Sequence, residues 1–244
     1  MQLAKPLGVQ LYTFHEDVAS DYVGTLERIA ALGLQGIEFF GGFVIPAEEL
    51  QFHLERLGLQ AAGWHIALED FLERYDETVA YHKRIGNHLV TIPAYPMETM
   101  DDLDRLVSIV NDLSPRLQAD GLTLGYHNHT HEFRRFDGRY GLDLLAERCA
   151  DTLRLELDLY WVHQSGVDPL EYWRQHRAQT NLIHLKDGLG GDNFTALGSG
   201  LVDVPALVDE AAGSAVEWIH IENDAPKPSA LENVAESVRY LEQL

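Results

Sequence analysis

The chain has 244 residues, of which 45% are hydrophobic and 23% charged, values typical of a soluble globular protein. Its formal net charge of −21 repels phosphate backbones and argues against a nucleic-acid partner. The sequence has no apolar run long enough to cross a membrane and no signal-peptide pattern at its start. The lone cysteine, Cys149, has no partner for an internal disulfide, so a cytoplasmic location is the default expectation.

Short apolar runs alternate with helical patterns along the chain. The predicted strands are Leu7–Tyr12, Gly36–Phe40, Leu59–His65, His88–Ile92, Leu122–His127, Leu153–Asp158, Asn181–Lys186 and Val216–Glu222. The predicted helices are Asp21–Leu32, Pro46–Leu57, Phe71–Ile85, Met97–Gln118, Leu142–Ala150, Pro169–Gln175, Val204–Ala212 and Ala230–Leu241. Pro115 is a candidate break within the fourth helix.

Eight strand–helix alternations predict an α/β fold, specifically a (β/α)8 TIM barrel. A doubly wound open sheet is the alternative, but no Gly-x-Gly-x-x-Gly follows the first strand. No linker rich in Gly, Ser or Pro divides the chain, so residues 1–244 are expected to form a single barrel domain. In such a barrel, catalytic residues lie at the C-terminal ends of the strands.

Polar chemistry is concentrated where the last four predicted strands end. The fifth strand alternates with a period of two, so His127 and His129 share one face. Asp158 ends the sixth strand, His184 lies in the seventh, and Glu222 ends the eighth. Four strand ends of this kind, in order, indicate side chains that converge on one site.

Imidazoles and carboxylates together suit a divalent metal ion such as Mn, Zn, Co, Fe or Mg. The predicted ligands are Glu132, Asp158, His184 and Glu222, from four consecutive strands on one side of the barrel. His127 competes with Glu132 for the fifth-strand position, and the sequence leaves both open.

Other residues near strand ends are candidates for catalysis or substrate binding, each with a plainer structural interpretation. Lys186 shares a strand face with His184 and could stabilise an oxyanion, or form an ion pair at the rim. His129 and His127 are candidate acid–base groups. Candidates for substrate binding are His65, Glu38, Trp161 and Tyr12, although aromatic residues there are more often part of the packing. Gly198-Ser199-Gly200 could present backbone N–H groups to an anion.

One set of motifs resembles the sugar phosphate isomerase/epimerase family with the xylose-isomerase-like barrel. The motifs are Tyr126-His127-Asn128-His129 with Glu132-Phe133, Leu157-Asp158-Leu159-Tyr160-Trp161-Val162, Ile183-His184-Leu185-Lys186-Asp187, Leu197-Gly198-Ser199-Gly200 and Ile221-Glu222-Asn223-Asp224. The resemblance implies a divalent metal held by Glu, Asp, His and Glu on strands five to eight. Asp158, His184 and Glu222 carry over directly, whereas His127 stands where many members have glutamate.

The resemblance also implies the reaction class: proton removal from a carbon beside a carbonyl, through a metal-stabilised enediolate. Isomerisation or epimerisation of a sugar, polyol or keto-sugar is the first expectation. Trp161 stands where ketose epimerases often have histidine, and the Tyr-His-Asn-His form resembles inosose dehydratases and keto-glycoside-cleaving lyases. A non-catalytic carbohydrate-binding barrel is a third interpretation. The expected partner is a small sugar or polyol, and assembly into a homo-oligomer stays open.

Overall fold

Eight parallel strands close into a barrel in the computed structural model, which describes residues 3–149 and 152–244. The barrel strands are β1 (Leu7–Gln10), β2 (Gly36–Phe40), β3 (Gln60–His65), β4 (Leu89–Ile92), β5 (Thr123–His127), β6 (Arg154–Asp158), β7 (Thr180–Leu185) and β8 (Trp218–Ile221). Each strand pairs in parallel with its neighbours in sequence, and β8 returns to pair with β1. The predicted (β/α)8 barrel is confirmed.

Helices connect the strands around the outside. They are α1 (His15–Ser20), α2 (Tyr22–Ala31), α3 (Ala47–Leu57), α4 (Leu68–Glu73), α5 (Tyr75–Arg84), α6 (Met100–Ala119), α7 (Gly141–Arg148), α8 (Leu159–Gln164), α9 (Pro169–His176), α10 (Val204–Ala212) and α11 (Ala230–Leu241). None of the helices in the described part of the chain combines the length and apolarity that crossing a bilayer requires.

The largest differences from the predicted helices are local. The predicted Phe71–Ile85 helix is two helices, α4 and α5, and the short α1 and α8 were not predicted. The last residue of the predicted Leu142–Ala150 helix lies outside the described residues. The break predicted at Pro115 is wrong, because α6 continues to Ala119. Leu113 and Leu117 are buried on either side of Pro115, and this packing outweighs the roughly 3 kcal/mol cost of an internal proline.

The barrel interior changes from apolar to polar along its axis. Ala62, Leu89, Leu182 and Trp218 form a small apolar cluster near the strand starts. Gly36 leaves room for it, since a Cβ there would lie 2.6 Å from the Trp218 ring. Farther along the strands the interior side chains are polar and buried, and the site therefore lies at the C-terminal ends.

Candidate active site

Four buried side chains from consecutive strands meet at the C-terminal mouth of the barrel. His127 ends β5, Asp158 ends β6, His184 lies in β7 and Glu222 follows β8. Each offers one donor atom, and these four atoms lie within 4.8 Å of one another. The group combines two imidazoles with two carboxylates, a donor set that could hold a divalent transition metal ion.

The hydrogen bonds of His127 define which ring nitrogen faces this group. Its Nδ1 lies 3.3 Å from the carbonyl oxygen of Pro93, which can only accept, so Nδ1 carries the proton. The lone pair of Nε2 is then free. Nε2 lies 3.7 Å from Asp158 Oδ2, and within the described chain Nε2 has no hydrogen-bond partner.

Asp158 is held in place by its position between strand and helix. Its Oδ1 accepts hydrogen bonds from the backbone N–H groups of Tyr160 and Trp161, which caps α8. The side chain of Asn128 bonds both the N–H and the C=O of Asp158, which ties the end of β6 to β5. One carboxylate oxygen is thus structural, and Oδ2 faces the mouth.

His184 connects the mouth to a second polar layer beneath it. Its Nε2 lies 2.6 Å from Glu38 Oε2 and 2.7 Å from Glu156 Oε1, so Nε2 carries a proton and donates to carboxylates. Its Nδ1 faces the mouth, 2.8 Å from Glu222 Oε2. Metal-binding histidines typically donate their second N–H to a carboxylate in this way.

The lower layer is a network of hydrogen bonds inside the barrel. Glu156 Oε1 lies 2.5 Å from His65 Nε2, and Oε2 accepts from the Thr91 hydroxyl at 2.7 Å. Gln10 donates to Glu38 at 2.9 Å. Glu38, for which the sequence left a rim ion pair and substrate contact open, is fully buried beneath the mouth and lies 2.6 Å from His184 Nε2.

The charges in this layer are set by burial and by one another. Burial raises the pKa of Glu38, and the neighbouring Glu156 carboxylate raises it further. Burial also opposes ionisation of Glu156, but His65 and His184 outweigh this and hold its pKa well below its usual value. Burial alone would lower the pKa of His184, yet the carboxylates of Glu156, Glu222 and Glu38 hold it well above its usual value.

Lys186 is the buried cation of the mouth. Its Nζ lies 3.1 Å from Asp158 Oδ2, 2.9 Å from Glu222 Oε2 and 3.0 Å from Asp224 Oδ2. Burial lowers the pKa of Lys186, but the three carboxylates outweigh it and raise the pKa above its usual value. The ammonium therefore stays charged and shares two oxygens with the candidate metal group.

Glu132 does not join the four-residue group, although sequence analysis offered it as the fifth-strand ligand. Its Oε1 accepts from the Tyr126 hydroxyl at 2.8 Å, and its Oε2 accepts from the backbone N–H of His129 at 2.9 Å. His131 Nε2 lies 3.0 Å from Oε1. The 3₁₀ turn His131–Phe133 directs Glu132 back toward its own strand end, so His127 takes the position beside Asp158.

A cavity of about 460 Å³ opens above these residues. Its walls include Tyr12, His65, His127, His129, Lys186, Glu222 and Asp224. Tyr12 is 41% exposed, and the ring of His129 lies 4.9 Å from that of His127. Burial lowers the pKa of His129 to about 3, so His129 is neutral at physiological pH.

Trp161 contacts the site indirectly. Its ring lies 6.0 Å from the His129 ring, and the Lys186 Nζ lies 5.1 Å from its centroid, within cation–π range. It lies behind these two residues rather than on the cavity wall. Trp161, a candidate for substrate binding from the sequence, therefore lies beside Lys186 and His129 and outside the cavity lining.

Sequence reasoning missed Glu156, Asp187 and Asp224. Glu156 lies two residues before Asp158, and the strand period that places Asp158 inside the barrel places Glu156 there too. Asp187 accepts from the backbone N–H groups of Gly188, Gly198, Gly200 and Val202. The glycine-rich loop that sequence analysis offered as an anion site therefore already binds an internal carboxylate.

Comparison with known proteins identifies the family. The sequence model of xylose isomerase-like TIM barrels matches residues 26–244. The chain belongs to the xylose isomerase-like TIM barrel family. No curated protein matches the chain significantly.

Solved structures share the fold of this family member. A sugar phosphate isomerase/epimerase from Parabacteroides distasonis is 23% identical with a TM-score of 0.85, covering 99% of this chain and 94% of that one. A probable 3-DHS dehydratase from Bacillus anthracis, involved in petrobactin synthesis, is 14% identical with a TM-score of 0.77, covering 97% and 98%. An L-ribulose 3-epimerase is 15% identical with a TM-score of 0.74, covering 98% and 94%.

Proposed function

We propose that this xylose isomerase-like barrel is a metal-dependent sugar isomerase or epimerase acting on a sugar, polyol or keto-sugar. The observation that carries the proposal is the convergence of His127, Asp158, His184 and Glu222 at the mouth. The family and the fold of its structural neighbours support an enzyme of this class. The alternative within the class is a lyase or dehydratase, which the fold of the dehydratase neighbour also accommodates.

The residues fit a divalent ion on the evidence of their own hydrogen bonds. His127 Nε2 is buried and, among the described residues, has no hydrogen-bond partner, as expected of a ligand atom, and the buried Asp158 Oδ2 lies 3.7 Å from it. His184 is oriented from below by Glu38 and Glu156, which leaves Nδ1 for the ion. Mn, Zn, Co, Fe and Mg remain candidates for the ion.

A bound ion would polarise the substrate carbonyl and make the neighbouring C–H bond more acidic. The protein then needs a group that accepts this proton and a group that balances the negative charge on oxygen. Neutral His129 lines the cavity and is the proposed proton acceptor. Lys186 lines the same cavity, and its ammonium is the proposed partner for the substrate oxygen.

An isomerase and a lyase of this kind differ in the step after proton removal. Return of the proton to a carbon gives isomerisation or epimerisation, whereas loss of a β-substituent gives dehydration or glycoside cleavage. Both reactions begin with the same exchangeable C–H bond, so one assay detects both.

The test is metal analysis combined with solvent-deuterium incorporation into a panel of keto-sugars. We expect about one divalent ion per chain and deuterium beside the carbonyl of at least one substrate. Asp158→Asn should lose both, because Oδ2 is a proposed ligand, and the exposed Asp209→Asn in α10 is the matched control. A metal-free wild type without exchange on any keto-sugar would favour a non-catalytic carbohydrate-binding barrel instead.

We also propose that residues 1–244 act as one barrel domain, because the closed sheet uses strands from Leu7 to Ile221. The lone thiol, Cys149, is buried, which suits a reducing compartment such as the cytoplasm. Cell fractionation with an antibody to the chain tests the compartment.

A further inference from the structure

A second cavity adjoins the mouth of the barrel. It has a volume of about 600 Å³ and lies between α1 and the segment that connects β8 to α11. Asp224 lines both this cavity and the one above the candidate metal ligands. The two cavities therefore share one lining carboxylate, and only a ligand longer than one sugar ring could reach into both.

We propose that the second cavity is a subsite for a further sugar unit, so that the substrate is an uncharged glycoside of two or more units. This inference rests on the proposed function, because it assigns the reacting keto ring to the first cavity. Each volume alone falls within the roughly 300–1,000 Å³ of small-molecule sites. A single hexose in the first cavity would leave the adjoining one to solvent.

An aromatic pair lies at the boundary of the two cavities, with one ring lining each. The Tyr12 and His15 rings are stacked, with centroids 5.0 Å apart and an interplanar angle of 19°. Tyr12 lines the first cavity and His15 the second. Flat rings of this kind offer apolar faces with polar edges, which suits the face of a sugar ring.

The charges of the second cavity exclude a phosphorylated substrate. Glu16, Asp17 and Asp224 face it together with a single lysine, Lys227. In the first cavity, Lys186 already balances three carboxylates. Asp224 already pairs with Lys186, and Asp17 lies 3.7 Å from Arg28. Among the described residues no arginine lines either cavity, and Glu16 opposes Lys227 in the second one, so a phosphate is disfavoured there.

The same carboxylates are suited to sugar hydroxyls. Ionised carboxylates only accept hydrogen bonds, and hydroxyl groups donate them without bringing a charge. The Ser20 hydroxyl donates to the Asp17 carbonyl oxygen, and its own oxygen can accept a further hydrogen bond. The lining thus recognises a neutral polyhydroxy compound and rejects an anion.

The test compares the binding of neutral monosaccharides, their disaccharides and their phosphates by titration calorimetry and ligand-observed NMR. The probes are glucose, cellobiose, maltose, sucrose and glucose 6-phosphate, with the metal-loaded protein. We expect at least one disaccharide to bind about tenfold or more tightly than glucose, about 1.4 kcal/mol, and the phosphate to bind more weakly than glucose.

A variant that fills only the second cavity makes the test specific. Ala225 lines that cavity and is exposed, so Ala225→Trp should remove the disaccharide preference and leave glucose binding unchanged. Ala19→Trp is the matched control, since Ala19 is an exposed residue of α1 that does not line the cavity. Thermal melting of both variants verifies that they fold.

The inference would be overturned by equal affinity for glucose and all disaccharides, by tighter binding of the phosphate, or by a disaccharide preference that survives Ala225→Trp. Absence of binding by all the sugars would overturn it as well. Its failure is distinct from failure of the proposed function. Keto-monosaccharides that exchange deuterium as fast as their glycosides would leave the enzyme in place and remove only the second subsite.

Discussion

A single imidazole, His184, joins the two polar layers of the barrel. Its Nε2 is held by Glu38 and Glu156 below, and its Nδ1 is presented to the mouth. Sequence analysis predicted His184 and Asp158 from their strand ends, and the structure brings both together. The contact between Glu38 and His184 could not be predicted from the sequence, because the two residues are 146 positions apart and meet only through closure of the barrel.

Two variants test whether His127 or Glu132 is the metal ligand from the fifth strand. His127→Ala should reduce metal affinity at least tenfold, because it removes the free Nε2 lone pair from the group. Glu132→Gln should retain the metal, because that carboxylate bonds to Tyr126 and His129 instead. Competition with a chelating dye measures both. The reverse order of affinities would return Glu132 to the ligand set.

Variants of Lys186 and His129 should lose catalytic turnover while they retain the metal ion. Lys186→Met removes an ammonium that shares oxygens with the proposed ion, so metal affinity should hold or rise. Turnover per bound metal should fall by about 10²–10⁴-fold. The readout is the deuterium-exchange rate normalised to metal content.

His129→Ala should show the same separation, because His129 lines the cavity but is not one of the four converging ligands. Metal content should stay full while exchange falls by about 10²–10⁴-fold. His131→Ala, on the exposed neighbour in the 3₁₀ turn, is the control. Wild-type exchange in His129→Ala would leave His127 or a glutamate as the base.

At the scale of elements, local signals predicted most helices but not their caps. Val204–Ala212 and Ala230–Leu241 match the predicted bounds, because their apolar spacing is regular and polar residues flank them. The helix α8 was not predicted, since it begins directly after Asp158 without a turn signal. The side chain of Asp158 provides its cap, a role that the apolar strand before it does not indicate.

Helix α5 carries a buried histidine that makes stability depend on pH. His82 is fully buried, and burial lowers its pKa to about 3 from the ordinary value of 6.5. Its Nδ1 accepts from Asn87, and no partner for Nε2 exists within the described ranges. The folded protein therefore keeps this ring neutral.

The two pKa values of His82, folded and unfolded, determine the sign of the effect. Above about pH 6.5 the ring is neutral in both states, and below it only the unfolded chain gains the proton. This stabilising contribution is thus present at pH 7 and is lost as the pH falls. Between pH 7 and 5 the loss is about 2 kcal/mol.

His82→Phe should remove the part of the unfolding free energy that depends on pH through His82. Urea titrations at pH 7 and 5 should show a loss of unfolding free energy that is smaller in the variant by about 2 kcal/mol. His53→Phe, in the partly exposed helix face of α3, is the control and should behave as wild type. An unchanged pH dependence in His82→Phe would show that the ring titrates normally in the fold.

At the scale of the whole molecule, the barrel concentrates acidic groups that a cation can stabilise. The chain carries a net charge of −21, and Asp158 and Glu222 lie buried at the mouth. A divalent ion that binds only the folded state at 100 times its dissociation constant adds about 2.7 kcal/mol of stability. Chelation should therefore lower the melting temperature measurably.

The stabilisation should weaken as pH falls, because the ion must displace a proton from Nδ1 of His184. The surrounding carboxylates hold the pKa of His184 well above its usual value, so protons compete already near neutrality. Melting curves with and without chelator at pH 8 and 6 should differ more at pH 8. An equal difference at both values would remove His184 from the ligand set.

The order of elements and the closure of the sheet were predictable, because eight alternations admit few topologies. The lower polar layer was not predictable, since it depends on which side chains from β1 to β4, β6 and β7 meet inside the barrel. The second cavity was equally beyond prediction, because it is formed by α1 and a loop that are roughly 200 residues apart in the chain and approach only on closure.

The most direct test of the account is anomalous X-ray diffraction from crystals grown with Mn²⁺, recorded at the manganese edge. We expect one strong peak per chain, with His127 Nε2, Asp158 Oδ2, His184 Nδ1 and a Glu222 oxygen each about 2.0–2.3 Å away. A peak between His129, His131 and Glu132, or no peak at full wild-type exchange activity, would contradict it.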